Sequence, residues 1–342
     1  MAASPIRISV IVPAYNCADA LRRCLTALAA QSSAADEILV VDDASTDGTA
    51  EVATRVGVRV VSMPGNGGPA AARNRGAAVA RGDVLLFVDA DVVVPPGTIG
   101  RVRETFARDP ELAALFGSYD ASPAAPGLIS RYRNLLHHFV HQEGNPNAST
   151  FWAGLGAIRR PVFIEVGGFD ADRYPRPAIE DIELGYRLKR AGYRLRLDRR
   201  LQATHLKEWT FRSMVHTDIV YRALPWARLL LEHPTIAADL NLRPGQRISA
   251  VFVGLALVSL GLAPLAPGLL AVSAVCFLVV LALNRRFYAL LLRGGLGFTV
   301  GALPLHMLYF VYCGATGLYA RVEWPVRSAA MALQKLARSV RA

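Results

Sequence analysis

The amino-acid sequence predicts an α/β protein with a doubly wound, mostly parallel sheet, followed by helices that lie on and in a membrane. Short runs of Val, Ile and Leu alternate with helical stretches over roughly the first 200 of the 342 residues. Continuous apolar strands separated by helices are typical of a parallel sheet that is covered on both faces. After Arg247 the composition becomes strongly apolar, which indicates membrane segments.

Four apolar runs predict buried strands, and polar or turn residues follow three of them. The strands are expected at residues 6–12, 37–41, 58–61 and 83–88. The residues that follow are Pro13, Ala14 and Tyr15, then Asp42 and Asp43, then Asp89 and Asp91. Open sheets of this kind bind ligands beyond the carboxyl ends of their strands. We therefore expect these residues to share one site.

Charge and cysteine usage narrow the class of protein. The net charge of +11 suits anionic lipid or a phosphorylated substrate, and no nucleic-acid-binding motif is found. The four cysteines form no C-x-x-C pair, which favours a reducing cytosol over a disulfide framework or a zinc site. The first apolar run is too short for a secretory signal and is expected to be a strand.

The second part of the chain predicts membrane attachment in several steps. Residues 207–246 mix aromatic, Leu and Arg residues, which is typical of interfacial helices, with an ordinary surface helix as the alternative. Residues 248–284 carry no charge and are split by residues 264–268, so we expect two short helices joined by a tight turn. A third apolar stretch covers residues 296–320, and residues 287–292 are a candidate for a segment that lies flat.

The topology of these segments stays open at this point. Arg285, Arg286 and Arg293 favour a cytoplasmic loop, and the tail is basic as well. Three full spans cannot place both the first domain and the tail in the cytoplasm, so either the tail is outside or one segment does not cross. The predicted domains are 1–206 (catalytic), 207–246 (interfacial), 247–320 (two or three transmembrane helices) and 321–342 (basic tail).

Asp89 and Asp91 are the strongest candidates for a cation site. They lie two residues apart at the end of the apolar run VLLFV. Mg²⁺ and Mn²⁺ prefer oxygen ligands and bridge diphosphate oxygens. A lone D-x-D is usually a pair of solvated acids, but its place at a strand end favours the cation.

Two further segments are candidates for binding a nucleotide. Asp42 and Asp43 can accept hydrogen bonds from a base or a ribose. A turn with a helix N-cap is the alternative, but capping does not require two acids directly at the strand end. Residues 66–76 form a glycine-rich loop that enters a helix, where amides and Arg73 or Arg75 can approach phosphate. The alternative is a simple loop with surface arginines.

Glu180 and Asp181 open a helix after a proline-containing loop. A carboxylate in the first turn is favoured by the helix dipole, so helix capping is the alternative to a functional role. Beside a sugar site, an ionised carboxylate is a plausible general base.

Six segments in order resemble the GT-A fold of family 2 glycosyltransferases over residues 6–200. They are IRISVIVPAYN, VVDDASTDGT, NGGPAAARNRGA, GDVLLFVDADVVVP, GLGAIRRPVFIEVGGFD and EDIELGYRLKRAG. The resemblance implies an inverting transfer from a nucleotide-diphosphate sugar with a divalent cation. It also implies a role for each matching residue, and the matches fall on every motif discussed above.

The implied roles divide the site into four parts. Pro13, Ala14, Tyr15, Asp42, Asp43, Arg73 and Asp89 would bind the donor; Asp91 and His205 would bind Mg²⁺ or Mn²⁺; Asp181 would be the base; Gly154, Gly156 and Glu180 would lie on the acceptor side. A lone histidine such as His205 is more often structural. No Q-x-x-R-W follows the Glu-Asp motif, so a processive polysaccharide synthase is not expected.

The expected protein is therefore a multi-pass glycosyltransferase of the inner (plasma) membrane, with a cytoplasmic catalytic domain and a lipid or membrane-associated acceptor. Two alternatives remain: a polyprenyl-phosphate glycosyl synthase, whose acceptor is already ionised, and an inactive membrane scaffold. A nicotinamide-dependent dehydrogenase is disfavoured because no G-x-G-x-x-G follows the first strand.

Overall fold

The computed structural model describes residues 5–234 and 239–339, with side chains up to residue 330. The chain divides into two compact units, the first ending at Thr210 and the second beginning at Phe211.

The first unit is an eight-stranded sheet with helices. Its elements are β1 (Ile8–Ala14), α1 (Ala18–Ala29), β2 (Glu37–Asp42), α2 (Thr49–Val56), β3 (Arg59–Ser62), α3 (Gly68–Val79), β4 (Val84–Val88), β5 (Val92–Val93), α4 (Thr98–Arg108), β6 (Leu112–Tyr119), α5 (Leu128–Glu143), β7 (Leu155–Arg159), α6 (Arg160–Glu165), α7 (Glu180–Arg190) and β8 (Arg194–His205). The four strands predicted from apolar runs all form.

The sheet is mostly parallel, as predicted. The strand order is β3-β2-β1-β4-β7-β6-β8-β5. β1 pairs in parallel with β2 and β4, β2 with β3, and β6 with β8. β7 is antiparallel to both β4 and β6, and β5 is antiparallel to β8. The carboxyl ends of β1, β2 and β4 therefore meet at one edge.

Burial on both faces explains why the central strands are continuously apolar. Every residue of β4 and of β6 is buried. On α1, Leu21, Leu25 and Leu28 are buried at the spacing of one helix face. A helix packed on each face leaves no strand position for water, which is the pattern expected of a parallel sheet.

The second unit is helical. Its elements are α8 (Phe211–His216), a π-helical segment (Thr217–Ala223), α9 (Leu224–Glu232), a 3₁₀ turn (Leu240–Leu242), α10 (Pro244–Leu262), α11 (Leu269–Leu283), α12 (Arg285–Leu292) and α13 (Leu296–Ser339). α10 and residues 296–330 of α13 are long and apolar enough to cross a membrane, and α11 with α12 forms a pair bent by 72° that could provide a third span.

The last helix is longer than the sequence suggested. The apolar stretch was expected to end at residue 320 and to be followed by a basic tail. Instead α13 continues through that tail as far as Ser339, past Pro304 and Pro325. The last three residues of the predicted tail lie outside the described residues.

Polar contacts join the helices within the second unit. Asn284, at the end of α11, donates to Ser249 Oγ of α10 over 2.9 Å, and Tyr312 of α13 donates to Asp218 over 2.5 Å. Further along α13, Arg228 Nη2 of α9 bonds Glu323 Oε2 over 2.9 Å. The start of the helical unit and the far half of α13 are therefore packed side by side.

Candidate active site

Asp43 fastens the glycine-rich loop to the end of β2. Its two carboxylate oxygens accept hydrogen bonds from the amides of Gly67 and Gly68, each over 2.8 Å. Burial raises the pKa of the Asp43 carboxyl, although these two amide hydrogen bonds act against it. Asp42 accepts a 3.2 Å hydrogen bond from the amide of Ser45 and shapes the neighbouring turn.

Gly68 occupies a position that only glycine fits. Its φ is +81°, and a Cβ placed there would lie 2.3 Å from the carbonyl oxygen of Pro175. The loop therefore packs directly on the segment that leads into α7. This contact brings the start of α3 close to the start of α7, which the sequence alone gave no reason to expect.

Arg73 joins two of the predicted site residues. It is buried on α3, and its guanidinium contacts Asp89 Oδ1 at 2.6 Å and Glu180 Oε1 at 2.9 Å. Glu180 also accepts from the amide of Ala178 over 2.9 Å. Arg73 was predicted to approach phosphate and Glu180 to face the acceptor, but in this structure each is engaged by the other. Through these contacts, Arg73 and Glu180 link α3, the end of β4 and the start of α7.

Asp91 and His205 form the second polar pair. The pairing of β5 with β8 sets Val92 opposite His205, and Leu206 donates to the carbonyl oxygen of Asp91 over 2.8 Å. His205 Nε2 then lies 3.4 Å from Asp91 Oδ2. Burial tends to raise the pKa of Asp91, but the hydrogen bond and charge of His205 and the charge of Lys207 outweigh it and hold the pKa below its usual range.

The chemistry of this pair fits a cation that is shared with a diphosphate. Mg²⁺ and Mn²⁺ commonly take one or two protein ligands and complete their shell with waters and substrate phosphates. Among the described residues, no cluster of three or more His, Cys, Asp or Glu side chains could hold a metal alone. One carboxylate and one imidazole are enough protein ligands for a cation that also binds substrate phosphates. They are too few for a cation that is held by protein side chains alone.

Asp181 lies in the first turn of α7 beside the same group of residues. Its Oδ2 accepts from the amide of Ala153 over 3.1 Å, and its Oδ1 accepts from the amide of Ile182 over 2.8 Å. Burial, together with the charge of Glu180, raises the pKa of Asp181 to about 7. Gly154, the residue after Ala153, accepts a 3.2 Å hydrogen bond from the amide of Asp89 through its carbonyl oxygen. Asp181 and Asp89 are thus held by neighbouring residues of one segment.

The remaining predicted residues lie close to these anchors. Ala14 is opposite Asp42 in the sheet, and its carbonyl oxygen accepts from the amide of Asp43 over 2.9 Å. Pro13 precedes it in β1, and Tyr15 follows with about half of its surface exposed.

Gly154 and Gly156 are needed for packing. A Cβ on Gly154 would lie 2.5 Å from the ring of Trp152, and one on Gly156 would lie 2.3 Å from the carbonyl oxygen of Trp152. Both glycines let the Trp152 segment fold over the start of β7.

Sequence reasoning missed the aromatic surroundings of His205. The ring of Tyr119, at the end of β6, is stacked on the imidazole with 4.1 Å between ring centroids and 10° between planes. Trp152 also meets the ring of Tyr119, at 85° with 4.9 Å between centroids. No local pattern announces such contacts, because a single buried aromatic residue looks the same in any core strand.

Known proteins resemble this chain in both sequence and fold. Residues 9–167 match the family described as Glycosyl transferase family 2. Pre-mycofactocin glycosyltransferase of Mycobacterium tuberculosis is 28% identical over 259 residues, which cover 72% of this chain and 53% of that protein. Succinoglycan biosynthesis protein ExoU of Rhizobium meliloti is 37% identical over 138 residues, 38% of this chain and 40% of the relative. The chain thus spans about half the length of the mycobacterial relative.

Two solved structures share the fold. The mannosyltransferase PcManGT from Pyrobaculum calidifontis, in complex with GDP-Man and Mn²⁺, aligns with a TM-score of 0.56 at 20% identity, covering 92% of this chain and 87% of that one. Glucosyl-3-phosphoglycerate synthase from Mycobacterium tuberculosis, in complex with Mn²⁺ and UDP-glucose, aligns with a TM-score of 0.50 at 19% identity, covering 68% and 81%.

Proposed function

We propose that this chain, whose residues 9–167 match the family described as Glycosyl transferase family 2, is an inverting glycosyltransferase acting on a lipid or membrane-associated acceptor. In this proposal it moves a sugar from a nucleoside-diphosphate sugar to an acceptor hydroxyl. The observation that carries it is that Asp89 and Asp181, which lie far apart in sequence, are held by the neighbouring residues Gly154 and Ala153. Arg73 pairs with Asp89, and Asp91, two residues after Asp89, pairs with His205.

The donor is proposed to bind at the carboxyl ends of β1, β2 and β4. Pro13, Ala14, Tyr15, Asp42 and Asp43 would surround the nucleoside. Asp43 would act mainly by holding the amides of Gly67 and Gly68 in place. PcManGT and glucosyl-3-phosphoglycerate synthase were solved with GDP-Man or UDP-glucose and with Mn²⁺, which supports a nucleotide-sugar donor and a divalent cation here.

Asp91 and His205 are the residues that would hold Mg²⁺ or Mn²⁺. When bound, such a cation supplies positive charge that stabilises the departing diphosphate. Arg73 is committed to Asp89 and Glu180, so its contribution is to fix the Asp89 carboxylate and the start of α7 in one geometry.

Asp181 is proposed as the general base. It takes the proton of the acceptor hydroxyl while that oxygen attacks the anomeric carbon, and the bond from this carbon to the diphosphate oxygen breaks on the opposite face. A base works best when its pKa lies near the operating pH, and burial brings the pKa of Asp181 to about 7.

The helical unit supports a membrane location for the reaction. Two or three of its helices are long and apolar enough to cross a bilayer. We propose a multi-pass protein of the inner (plasma) membrane with residues 1–206 as a cytoplasmic catalytic domain. These helices equally suit a polyprenyl-phosphate acceptor, whose oxygen is already ionised near neutral pH and needs no strong base.

Asp181→Asn separates these two acceptors. Purified full-length protein would first be tested for thermal stabilisation by UDP-, GDP- and dTDP-sugars with and without Mn²⁺. With a hydroxyl acceptor, Asp181→Asn keeps donor stabilisation but lowers transfer by roughly 10²–10⁴-fold, the usual contribution of a positioned base. Retained transfer would favour the polyprenyl-phosphate acceptor. Absence of stabilisation by every donor would contradict the enzyme and favour a scaffold.

A further inference from the structure

His205 is at one end of a series of ring contacts inside the first unit. The series runs from His205 to Tyr119, then to His137 and His141 of α5; the first and last contacts are stacked, and the middle one is tilted by 40°. The centroid separations are 4.1 Å, 4.3 Å and 4.0 Å in that order. The first contact is nearly parallel, with only 10° between the two planes. Tyr119 therefore covers one whole face of the imidazole that lies beside Asp91.

Three rings contact the ring of Tyr119. His205 is stacked on it, His137 meets it at 40° with 4.3 Å between centroids, and Trp152 meets it at 85° with 4.9 Å between centroids. Tyr119 itself is only 8% exposed. A ring that is enclosed in this way has little freedom to rotate, so it can serve as a rigid support for the imidazole.

The backbone around Tyr119 is fixed as well. Tyr119 lies opposite Ala203 in the β6–β8 pair, two residues before His205. Its carbonyl oxygen lies 2.8 Å from His138 Nδ1 of α5. The following residue, Asp120, bonds the hydroxyl of Thr204. Strand, helix and ring contacts thus all hold Tyr119 at a fixed distance from His205.

Asp91 alone does not determine the orientation of the imidazole. The Asp91 side chain is 32% exposed, and its 3.4 Å contact with His205 Nε2 is a single contact, which does not define the plane of the ring. Stacking on Tyr119 defines this plane, because a rotated ring would lose the parallel contact. Residues that orient a metal-binding histidine commonly tune metal affinity without touching the metal.

We propose that Tyr119 is a positioning residue for the divalent cation: its ring fixes the plane of His205, so that the imidazole nitrogen and the Asp91 carboxylate face one point. This inference rests on the proposed function, since it assigns His205 to the cation. It adds a residue that no sequence motif marks. The role is assigned to the aromatic ring of Tyr119.

The test compares four single variants and one double variant of the full-length protein. Calorimetry measures the affinity for UDP, GDP, CDP and dTDP with and without Mn²⁺. Tyr119→Leu is expected to lower the Mn²⁺-dependent affinity roughly 10–100-fold, the usual effect of losing an orienting partner, while metal-free affinity is unchanged. Tyr119→Phe keeps the ring and is expected to behave as the wild type.

Phe116→Leu is the matched control. Phe116 is a fully buried ring on the same strand, and its ring contacts are with His141 and Phe151. This variant is expected to lower the melting temperature, as Tyr119→Leu does, but to keep the response to Mn²⁺. If Tyr119 acts through His205, then Tyr119→Leu combined with His205→Ala loses no more Mn²⁺-dependent affinity than His205→Ala alone.

Three results would overturn the inference. They are a wild-type response to Mn²⁺ in Tyr119→Leu, an equal loss in Phe116→Leu, and additive losses in the double variant. Each of these leaves the proposed function standing, because the wild type still binds a nucleotide with Mn²⁺. A wild-type protein that binds none of the four nucleotides would instead remove the proposed function and this inference together.

Discussion

At the scale of single residues, the proposed transfer reaction depends most on the protonation state of Asp181. Burial raises its pKa to about 7, so the carboxylate form required of a base becomes the main form only above that pH. Each pH unit below about 7 lowers the ionised fraction about tenfold. We expect the transfer rate at saturating donor and Mn²⁺ to rise with pH up to about 7 and then to level off. A rate that is independent of pH from 5.5 to 8.5 would contradict this role.

The same raised pKa has a consequence for stability. An aspartate whose pKa is higher in the folded than in the unfolded state costs stability as the pH rises from about 4 to about 7, because the fold disfavours the charge. Asparagine mimics the neutral form. Asp181→Asn is therefore expected to raise the melting temperature at pH 8 and to leave it nearly unchanged at pH 4. An equal shift at both pH values would argue against a buried charge as its cause.

Arg73 is expected to be a structural requirement of the site. The substitution Arg73→Met leaves Asp89 and the buried Glu180 without the guanidinium group that pairs with both of them. Losing one partner of a buried ion pair costs about 3–5 kcal/mol. Arg22→Met is the control, since Arg22 pairs with Asp19 in solvent and such pairs contribute less than about 1 kcal/mol. Denaturant unfolding of both variants measures the difference, and equal losses would contradict the assignment.

The sequence indicated which residues belong to the site better than it indicated what they contact. The acids at the ends of β2 and β4 were expected together because parallel strands end at one edge. The contact of Arg73 with Glu180 joins residues that are 107 positions apart, and no local pattern encodes it. Tyr119 was missed for the same reason. Its role depends on which ring packs against it in three dimensions.

At the scale of elements, the loop before α3 carries a sharp requirement for glycine. Gly68→Ala would place a methyl group 2.3 Å from the carbonyl oxygen of Pro175 at a φ of +81°. The strain of such a position is about 1–3 kcal/mol, and relieving it would displace the amide that Asp43 holds. We expect weaker donor binding by calorimetry. Gly65→Ala is the control, because nothing lies within 4 Å of a Cβ there; equal losses in both variants would contradict the argument.

The elements differ in how far the sequence could predict them. The four strands β1 to β4 were expected from their apolar runs, since burial on both faces leaves a clear local signal. The antiparallel insertion of β7 between β4 and β6 was not expected, because strand order is set by long-range packing. The extension of α13 to Ser339 was also missed. Proline usually kinks or breaks a helix, but this helix continues past both Pro304 and Pro325.

At the scale of the whole molecule, contacts within the helical unit bear on the open question of topology. Arg228 of α9 pairs with Glu323 of α13, and Glu232 pairs with Arg327 over 3.6 Å. Charged residues in direct contact lie on the same side of a bilayer. We therefore expect an even number of crossings between α9 and the far half of α13, so that one of the three apolar stretches does not cross completely.

Single cysteines introduced into a cysteine-free variant test this topology. Phe211→Cys lies before the apolar helices in the sequence and Val326→Cys lies near the end of the last one, and both positions are exposed. Leu265→Cys is an exposed reporter in the turn after α10. With a membrane-impermeant maleimide and sealed vesicles, Phe211→Cys and Val326→Cys are expected to react from the same side, and Leu265→Cys from the other. Labelling of the first two from opposite sides would contradict an even number of crossings.

Acids from distant parts of the chain are proposed to bind one cation and one diphosphate, and calorimetry of Asp91→Ala is the sharpest test of this proposal. Nucleotide-sugar binding would be measured with and without Mn²⁺ in the wild type, in Asp91→Ala and in the exposed control Asp19→Ala. We expect Mn²⁺ to strengthen nucleotide-sugar binding in the wild type and in Asp19→Ala, and to have no effect on it in Asp91→Ala. A full response to Mn²⁺ in Asp91→Ala would contradict it.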